Sequence, residues 1–195
     1  MTIIRVNPSS IQAYGADAQD KFNMIRAELD KLVAECADVR YFGANAVQFK
    51  TQCGQLAADF ATQLVQKMGA IADVVRSATS NIASSLGGTP ISISVDGATV
   101  AVPSVPAVDY VDVDTAALEG LIPRVSASFS KIDELFDAHL QKLSSTDWEG
   151  NAKDEAVNTV RNFTGNAKAS SGDSRTKVTS FVQSQIDNVL KADRT

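Results

Sequence analysis

The chain has 195 residues, of which 44% are hydrophobic and 21% charged, and its formal net charge is −5. This composition is ordinary for a globular protein with a buried core, and the acidic balance argues against nucleic acid as a partner, because phosphate binding needs clustered Lys and Arg. No apolar run approaches the roughly 20 residues of a membrane helix, and the first residues lack the basic and long apolar regions of a secretory signal. We therefore expect no nucleic-acid partner, no membrane span and no export by the general pathway.

The first predicted helix begins at Asn7 and Pro8. Asn is a good helix cap, and Pro suits the first helical position because its missing N–H costs nothing there. Apolar side chains then form one continuous stripe, which predicts a long amphipathic helix. The pattern fades at residues 38–40. The stripe comprises Ile11, Ala18, Phe22, Ile25, Leu29, Leu32 and Cys36.

A second amphipathic stripe follows the segment Tyr41-Phe42-Gly43. It runs from Ala46 to Ile82 and is stopped by Gly87-Gly88-Thr89-Pro90. Residues 7–86 therefore predict two antiparallel helices joined by a short turn.

The next segment alternates apolar and polar residues with a period of two. Its apolar positions lie on both sides of Asp96-Gly97, the strongest short-range signal for a two-residue turn, so a β-hairpin is predicted. The hairpin positions are Ile91, Ile93, Val95, Val100 and Val102. The extended stretches 108–113 and 2–6 are expected to join it in a small sheet or cap, at the bundle end opposite the two turns. Its apolar side must pack on this chain or on a partner, since an isolated hairpin is marginal in water.

A third and a fourth helix complete the chain. Asp114 is the predicted cap of the third, whose apolar stripe runs from Leu118 to Leu143 and ends before Trp148. The fourth is less regular, and Gly172 lies among small polar residues. A glycine inside a helix costs about 1 kcal/mol, so we expect a local break there.

The two halves of the chain are a repeat with an offset of 107 residues. Asn7 falls on Asp114, and Tyr41-Phe42-Gly43 falls on Trp148-Glu149-Gly150. One helical hairpin cannot cover its own apolar face, but two can. The predicted fold is therefore all-α: a four-helix bundle made of two antiparallel helical hairpins, a pseudo-dimer within one monomer, with an inserted β-hairpin linker. The predicted boundaries are 1–88, 89–110 and 111–195.

Val-Asn-Pro opening a helix and Trp148-Glu149-Gly150 between two amphipathic helices together resemble the Trp-x-Gly (WXG) family of small helical-hairpin proteins, similar to the early secreted antigenic target. The resemblance covers roughly residues 4–85 and 111–192, and Tyr41-Phe42-Gly43 is a softened form of the motif. It implies a substrate or co-secreted partner of type VII secretion. The family's Tyr-x-x-x-Asp/Glu tail has no counterpart here; the nearest stretch is 181–185.

Two functions remain open on these grounds. The first is a non-enzymatic, secreted protein of the WXG type that binds protein partners, such as the secretion machinery or a co-secreted protein. The alternative is a cytoplasmic structural, chaperone or adaptor protein that uses the hairpin 91–102 to extend a partner's sheet. The six turn residues are the candidate partner-binding positions, although Trp148 and Gly150 also suit a purely structural turn.

The remaining reactive residues do not form an enzyme motif. Cys36 and Cys53 flank the first turn on core-facing positions, so they are expected to approach each other as reduced, buried thiols. His139 is expected to be partly buried or at the rim of the bundle. No phosphate loop, nucleophile motif or metal-ligand spacing accompanies these residues, so we expect no enzyme activity, no cofactor and no metal.

Overall fold

The protein is described by a computed structural model that covers residues 4–193. Four long helices pack as a bundle: α1 (Pro8–Asp38), α2 (Ala44–Leu86), α3 (Thr115–Ser144) and α4 (Asn151–Asp193). In the described chain a two-residue strand precedes each helix: β1 (Arg5–Val6), β2 (Tyr41–Phe42), β3 (Asp112–Val113) and β4 (Trp148–Glu149). The predicted all-α class and the four-helix bundle are confirmed.

The helix boundaries repeat with the same offset as the sequence. Three boundaries of the first half recur 107 residues later: α1 and α3 begin at Pro8 and Thr115, α2 and α4 begin at Ala44 and Asn151, and they end at Leu86 and Asp193. Both predicted caps are confirmed as well. The Asn7 side chain accepts the N–H groups of Ser9 and Ser10 at 3.1 and 3.3 Å, and Asp114 accepts that of Ala117 at 3.0 Å.

Each strand that precedes a hairpin pairs with the turn of the other hairpin. Strand β1 pairs antiparallel with β4, so that Val6 lies opposite Trp148. Strand β2 pairs antiparallel with β3, so that Tyr41 lies opposite Val113. The second pairing is the first one shifted by the repeat offset. The two hairpins therefore pack antiparallel to each other, with each turn beside the start of the other hairpin.

The expected cap at the bundle end opposite the turns is wrong. The extended segments lie at the turns, where their N–H and C=O groups find partners that a lone turn would leave unpaired. Thr2 and Ile3, which belong to one of those segments, lie outside the described residues.

Contacts divide the chain into two compact units. Unit 1 contains the residues up to Arg26, Leu64–Ala98 and Asp133–Lys168, whereas unit 2 contains Ala27–Gln63, Thr99–Ile132 and the residues from Ala169. Each unit has its own buried core, with Trp148 among the largest side chains in unit 1 and Phe129 in unit 2. Each also contains segments of all four helices and of both halves of the repeat.

The predicted β-hairpin between α2 and α3 does not form. Residues 88–108 contain no strand, although the predicted alternation holds in part: Ile91, Ile93 and Val100 are buried, and Val95 and Val102 are half-buried. The main-chain groups of this linker bond to side chains of α1 instead of to each other.

Three polar side chains of α1 take the place of a partner strand in unit 1. Gln19 accepts the Ser94 N–H at 2.8 Å and donates to the Ser94 carbonyl at 3.0 Å. Gln12 donates to the carbonyl of Thr89, and Arg26 donates to those of Asp96 and Ala98. The helix thus offers both polar pairing and an apolar surface, which an isolated two-stranded hairpin lacks.

Two helical glycines allow the linker to approach the first hairpin closely. A Cβ on Gly15 would lie 2.9 Å from the Ile91 Cβ in unit 1, and one on Gly54 would lie 2.7 Å from a Val102 methyl group in unit 2. The repeat counterparts of these glycines are Ile122 and Arg161. The second hairpin therefore lacks the glycine positions at which a linker could pack this closely.

The expected break near Gly172 is also wrong, because α4 is continuous from Asn151 to Asp193. Ala167, Ser171 and Val178 are buried along one face of this helix. Packing of that face outweighs the roughly 1 kcal/mol that a helical glycine costs.

The two cysteines approach each other as predicted. Their Sγ atoms are 2.8 Å apart, and both thiols are free and buried in unit 2. The contact with Cys36, together with burial, raises the pKa of the Cys53 thiol, so little thiolate is available for reaction. Leu143 and Val160 occupy the equivalent positions in the second half.

Gly15→Ala should lower the free energy of unfolding, because the new methyl group would lie 2.9 Å from the Cβ and Cγ2 atoms of Ile91 and would displace that side chain, so that overpacking outweighs the gain in helix propensity. Gly69→Ala is the matched control: nothing lies within 4 Å of its Cβ position, so it should stabilise the protein by about 1 kcal/mol. Urea denaturation followed by circular dichroism measures both. Equal stabilisation by the two substitutions would contradict the close packing of the linker.

Slow oxidation with a small disulfide such as oxidised glutathione should join Cys36 to Cys53. The new bond closes a loop with a sequence separation of 17 and should add about 3 kcal/mol to the free energy of unfolding. Cys36→Leu/Cys53→Val, which copies the second half, should not respond to the oxidant. Titration of free thiols in the denatured protein shows whether the disulfide has formed. Two titratable thiols after prolonged oxidation would contradict the predicted disulfide.

Candidate partner-binding site

The first aromatic turn lies beside a groove in unit 2. Tyr41 is 4% exposed, packs against Phe49 with ring centroids 5.8 Å apart, and accepts a hydrogen bond from Gln185 at 2.9 Å. Burial raises the pKa of Tyr41, so its hydroxyl stays protonated. The groove has a volume of about 640 Å³, and its lining includes Tyr41, Phe42, Gly43, Val111, Gln185 and Val189. The predicted residues Tyr41, Phe42 and Gly43 thus lie together.

Phe42 is the accessible member of this turn. Its ring is half-buried, lies 5.8 Å from the ring of Tyr110 and lies 4.9 Å from the Lys50 ammonium. Burial lowers the pKa of Lys50, and Tyr110 and Val111 are 56% and 79% exposed. Lys50 itself is only 5% exposed, so the accessible part of this surface is apolar, and exposed apolar patches often mark protein-binding sites.

The backbone of the first turn requires glycine. Gly43 has a φ of 117°, a conformation that side-chain-bearing residues rarely adopt, and a Cβ there would lie 3.1 Å from a Val111 methyl group. Next to it, Arg40 forms an ion pair with Asp112 at 3.0 Å across the β2–β3 pairing. The turn is therefore held both by its own backbone and by the segment that precedes α3.

The second turn, in unit 1, presents different chemistry. The Trp148 ring is 1% exposed and Gly150 has a φ of 131°, so both serve the turn itself, whereas Glu149 is exposed. A cavity of about 430 Å³ lies here, bordered by Trp148, Glu149, Gly150, Lys153, Asp154 and Arg161. The two turns share a backbone conformation with a glycine at positive φ, but the second turn offers a charged surface.

A further groove in unit 1 was not found from the sequence. It lies between α2 and α4, has a volume of about 670 Å³, and includes Ile4, Val74, Ala78, Ile82 and Ala156 in its lining. Ile4 and Val74 are large apolar residues that are 62% and 39% exposed. A comparison of the two halves for differences, rather than for matches, would have singled out this surface.

The predicted hairpin positions are poorly available to a partner. Ile91, Ile93 and Val100 are buried against the protein's own helices, and Val95 and Val102 are half-buried. The main-chain groups of Ser94, Asp96 and Ala98 already bond to α1.

His139 is fully buried in unit 1, so its expected place at the rim is wrong. Its Nε2 lies 2.8 Å from the Tyr14 hydroxyl, while its Nδ1 has no hydrogen-bond partner among the described residues. Burial lowers the pKa of His139 to about 4; Asp17 opposes this effect and Lys21 adds to it. Burial also raises the pKa of Tyr14, and both side chains are therefore neutral near pH 7.

Comparison with protein-family models, with curated proteins and with solved structures finds no match to this chain. Within residues 4–193, no group of three or more His, Cys, Asp or Glu side chains is placed to hold a metal ion. No helix in that part of the chain is both long and apolar enough to cross a membrane. Function has to be inferred from the fold and from the surfaces described above.

Acid should destabilise the protein through His139. Its pKa is about 4 in the folded state and near 6.5 when unfolded, so only the unfolded chain gains the proton between these values. The stabilisation is complete above pH 6.5, and about 3 kcal/mol is lost as the pH falls to 4. Urea denaturation across this range measures the loss.

Tyr14→Phe/His139→Leu should make the free energy of unfolding less dependent on pH in this range. The double substitution removes the titrating ring without leaving an unpaired hydroxyl. Tyr14→Phe alone is the control and should retain the slope. An unchanged slope in the double variant would assign the acid sensitivity to carboxylates elsewhere.

Proposed function

We propose that this chain is a non-enzymatic protein of the WXG type that is exported by, or together with a substrate of, a type VII secretion system. It acts by binding other proteins. The resemblance of Trp148-Glu149-Gly150 and of Asn7-Pro8 to the family's motifs supports this proposal, as does the placement of both motifs at helix starts and turns.

The observation that carries the proposal is the reciprocal pairing of strands and turns. β1 with β4 and β2 with β3 are the same pairing, displaced by the repeat offset. This is the arrangement expected when two like hairpins form a two-fold dimer, since every contact then occurs twice, with the two hairpins exchanging roles. A single chain here supplies both hairpins, so we propose that it works as a monomer.

Binding is proposed to involve the first turn. Phe42, Tyr110 and Val111 form an apolar surface there, and the buried Lys50 ammonium lies against the Phe42 ring. The positive φ of Gly43 and the pairing of β2 with β3 position this surface. No bond is made or broken in this mechanism.

The proposal predicts that the protein accumulates in the culture supernatant of its native strain, and that deletion of the type VII ATPase reduces this export to the level of a cytosolic marker. Immunoblots of supernatant and cell pellet measure the distribution. An equal distribution in both strains would overturn export and favour the alternative, a cytoplasmic adaptor.

Phe42→Ala tests the turn surface in the same assay. It should lower the exported fraction while the purified protein retains its helical content, because the ring is only half-buried. Met24→Ala, which trims an apolar side chain that is 42% exposed on α1, is the matched control and should be exported normally. Normal export of Phe42→Ala would show that the turn surface does not contribute to export.

A further inference from the structure

Several positions of α2 and α4 that are equivalent in the repeat differ in side-chain size. Phe49 in α2 corresponds to Ala156 in α4, and Phe181 in α4 corresponds to Val74 in α2. Gln185 likewise corresponds to Ala78. In each pair the larger side chain lies in unit 2 and the smaller in unit 1.

The large side chains fill unit 2 between these helices. The rings of Phe49 and Phe181 stack with centroids 5.4 Å apart and planes inclined by 6°. Gln185 reaches the Tyr41 hydroxyl at 2.9 Å and links α4 to the turn. Two aromatic rings and one polar link thus join α2, α4 and the first turn.

The small side chains leave the equivalent region of unit 1 open. Val74, Ala78 and Ala156 line the groove of about 670 Å³, and Val74 remains 39% exposed. Ile4, at 62% exposure, extends the apolar surface toward β1. In unit 2 the rings of Phe181 and Phe49 stand in place of Val74 and Ala156, so this part of the equivalent groove is filled. The neighbouring part, beside Val111 and Gln185, remains open in the groove of about 640 Å³.

We infer that this groove binds an amphipathic helix of a protein partner, which inserts aromatic side chains where unit 2 has Phe49 and Phe181. The inference rests on the proposed function only in taking the partner to be a protein. A groove between two helices suits a third helix, whose anchors are spaced by three or four residues. Aromatic anchors fit because the equivalent walls in unit 2 already enclose two rings.

The rim of the groove indicates the charge of that helix. Asp73 and Glu155 lie among its lining residues, and Arg76 is paired with Asp73 at 2.6 Å. The carboxylates outnumber the cation, so basic residues flanking the aromatic anchors would be favoured. The predicted ligand is therefore a basic, aromatic amphipathic helix.

A synthetic helical peptide tests the inference on the intact protein. The probe has two Phe residues four positions apart on one face and Lys on the other, and its control has Ala in place of Phe. Amide NMR shifts during titration should identify Val74, Ala78 and Ala156 as the site. The Ala peptide should bind roughly tenfold more weakly or worse.

Val74→Phe/Ala156→Phe places rings in the groove where unit 2 has Phe181 and Phe49. It should weaken binding of the Phe peptide by roughly tenfold or more. Val74→Lys is a second variant that does not depend on packing two new rings, and its charge repels the Lys residues of the peptide. Met24→Lys is the matched control, because it places the same charge at an exposed apolar position outside the groove, and it should leave the Kd unchanged.

Three results would overturn the inference. These are shifts that do not localise to the groove, equal binding of the two peptides, and equal binding by the groove variants. Concentration-dependent dimerisation that Val74→Lys abolishes would instead assign the groove to a second copy of the chain. The titration needs no secretion system, so its failure leaves the export experiment unaffected.

Discussion

The structure depends on the pairing of each aromatic-glycine turn with the strand that precedes the other hairpin. Val6 lies opposite Trp148, and Tyr41 lies opposite Val113. A turn between two long helices exposes main-chain N–H and C=O groups, and the strand of the other hairpin satisfies them. Because of this constraint, the two hairpins lie antiparallel to each other. It also explains why both turns keep a glycine with a φ above 100°, because the chain must turn back immediately after the paired residues.

The linker is what makes the two hairpins unequal. It lies against α1 through Gln12, Gln19 and Arg26 in unit 1, and it packs on Gly54 in unit 2. The second hairpin has Ile122 and Arg161 where the first has Gly15 and Gly54. A fused pair can therefore give its halves different roles, whereas a dimer of identical hairpins has the same surface twice. The space beside Val74 and Ala156 in unit 1, which Phe181 and Phe49 fill in unit 2, and the aromatic patch near Phe42 are two such differences.

Much of the helical architecture was predictable because its signals are local. Asn7 and Asp114 cap their helices through their own side chains, and the apolar stripe of α1 follows directly from the helical period. The approach of Cys36 to Cys53 followed from their core-facing positions on either side of a short turn. The linker was predicted with only part of its burial correct and with the wrong partner: Ile91, Ile93 and Val100 are buried, Val95 and Val102 are half-buried, and the linker packs on helices instead of forming a hairpin.

By itself, the sequence determined the number of helices, their starts, the repeat offset and the need for glycine at the turns, because each is encoded within a few residues or by comparison of the two halves. Only the tertiary structure decided that the strands pair with the opposite turns, that His139 is buried against Tyr14, and that the space between α2 and α4 is open in unit 1. These features depend on contacts between residues far apart in the chain. Hydrophobic periodicity specifies which side of a helix is buried, but it does not specify what covers that side.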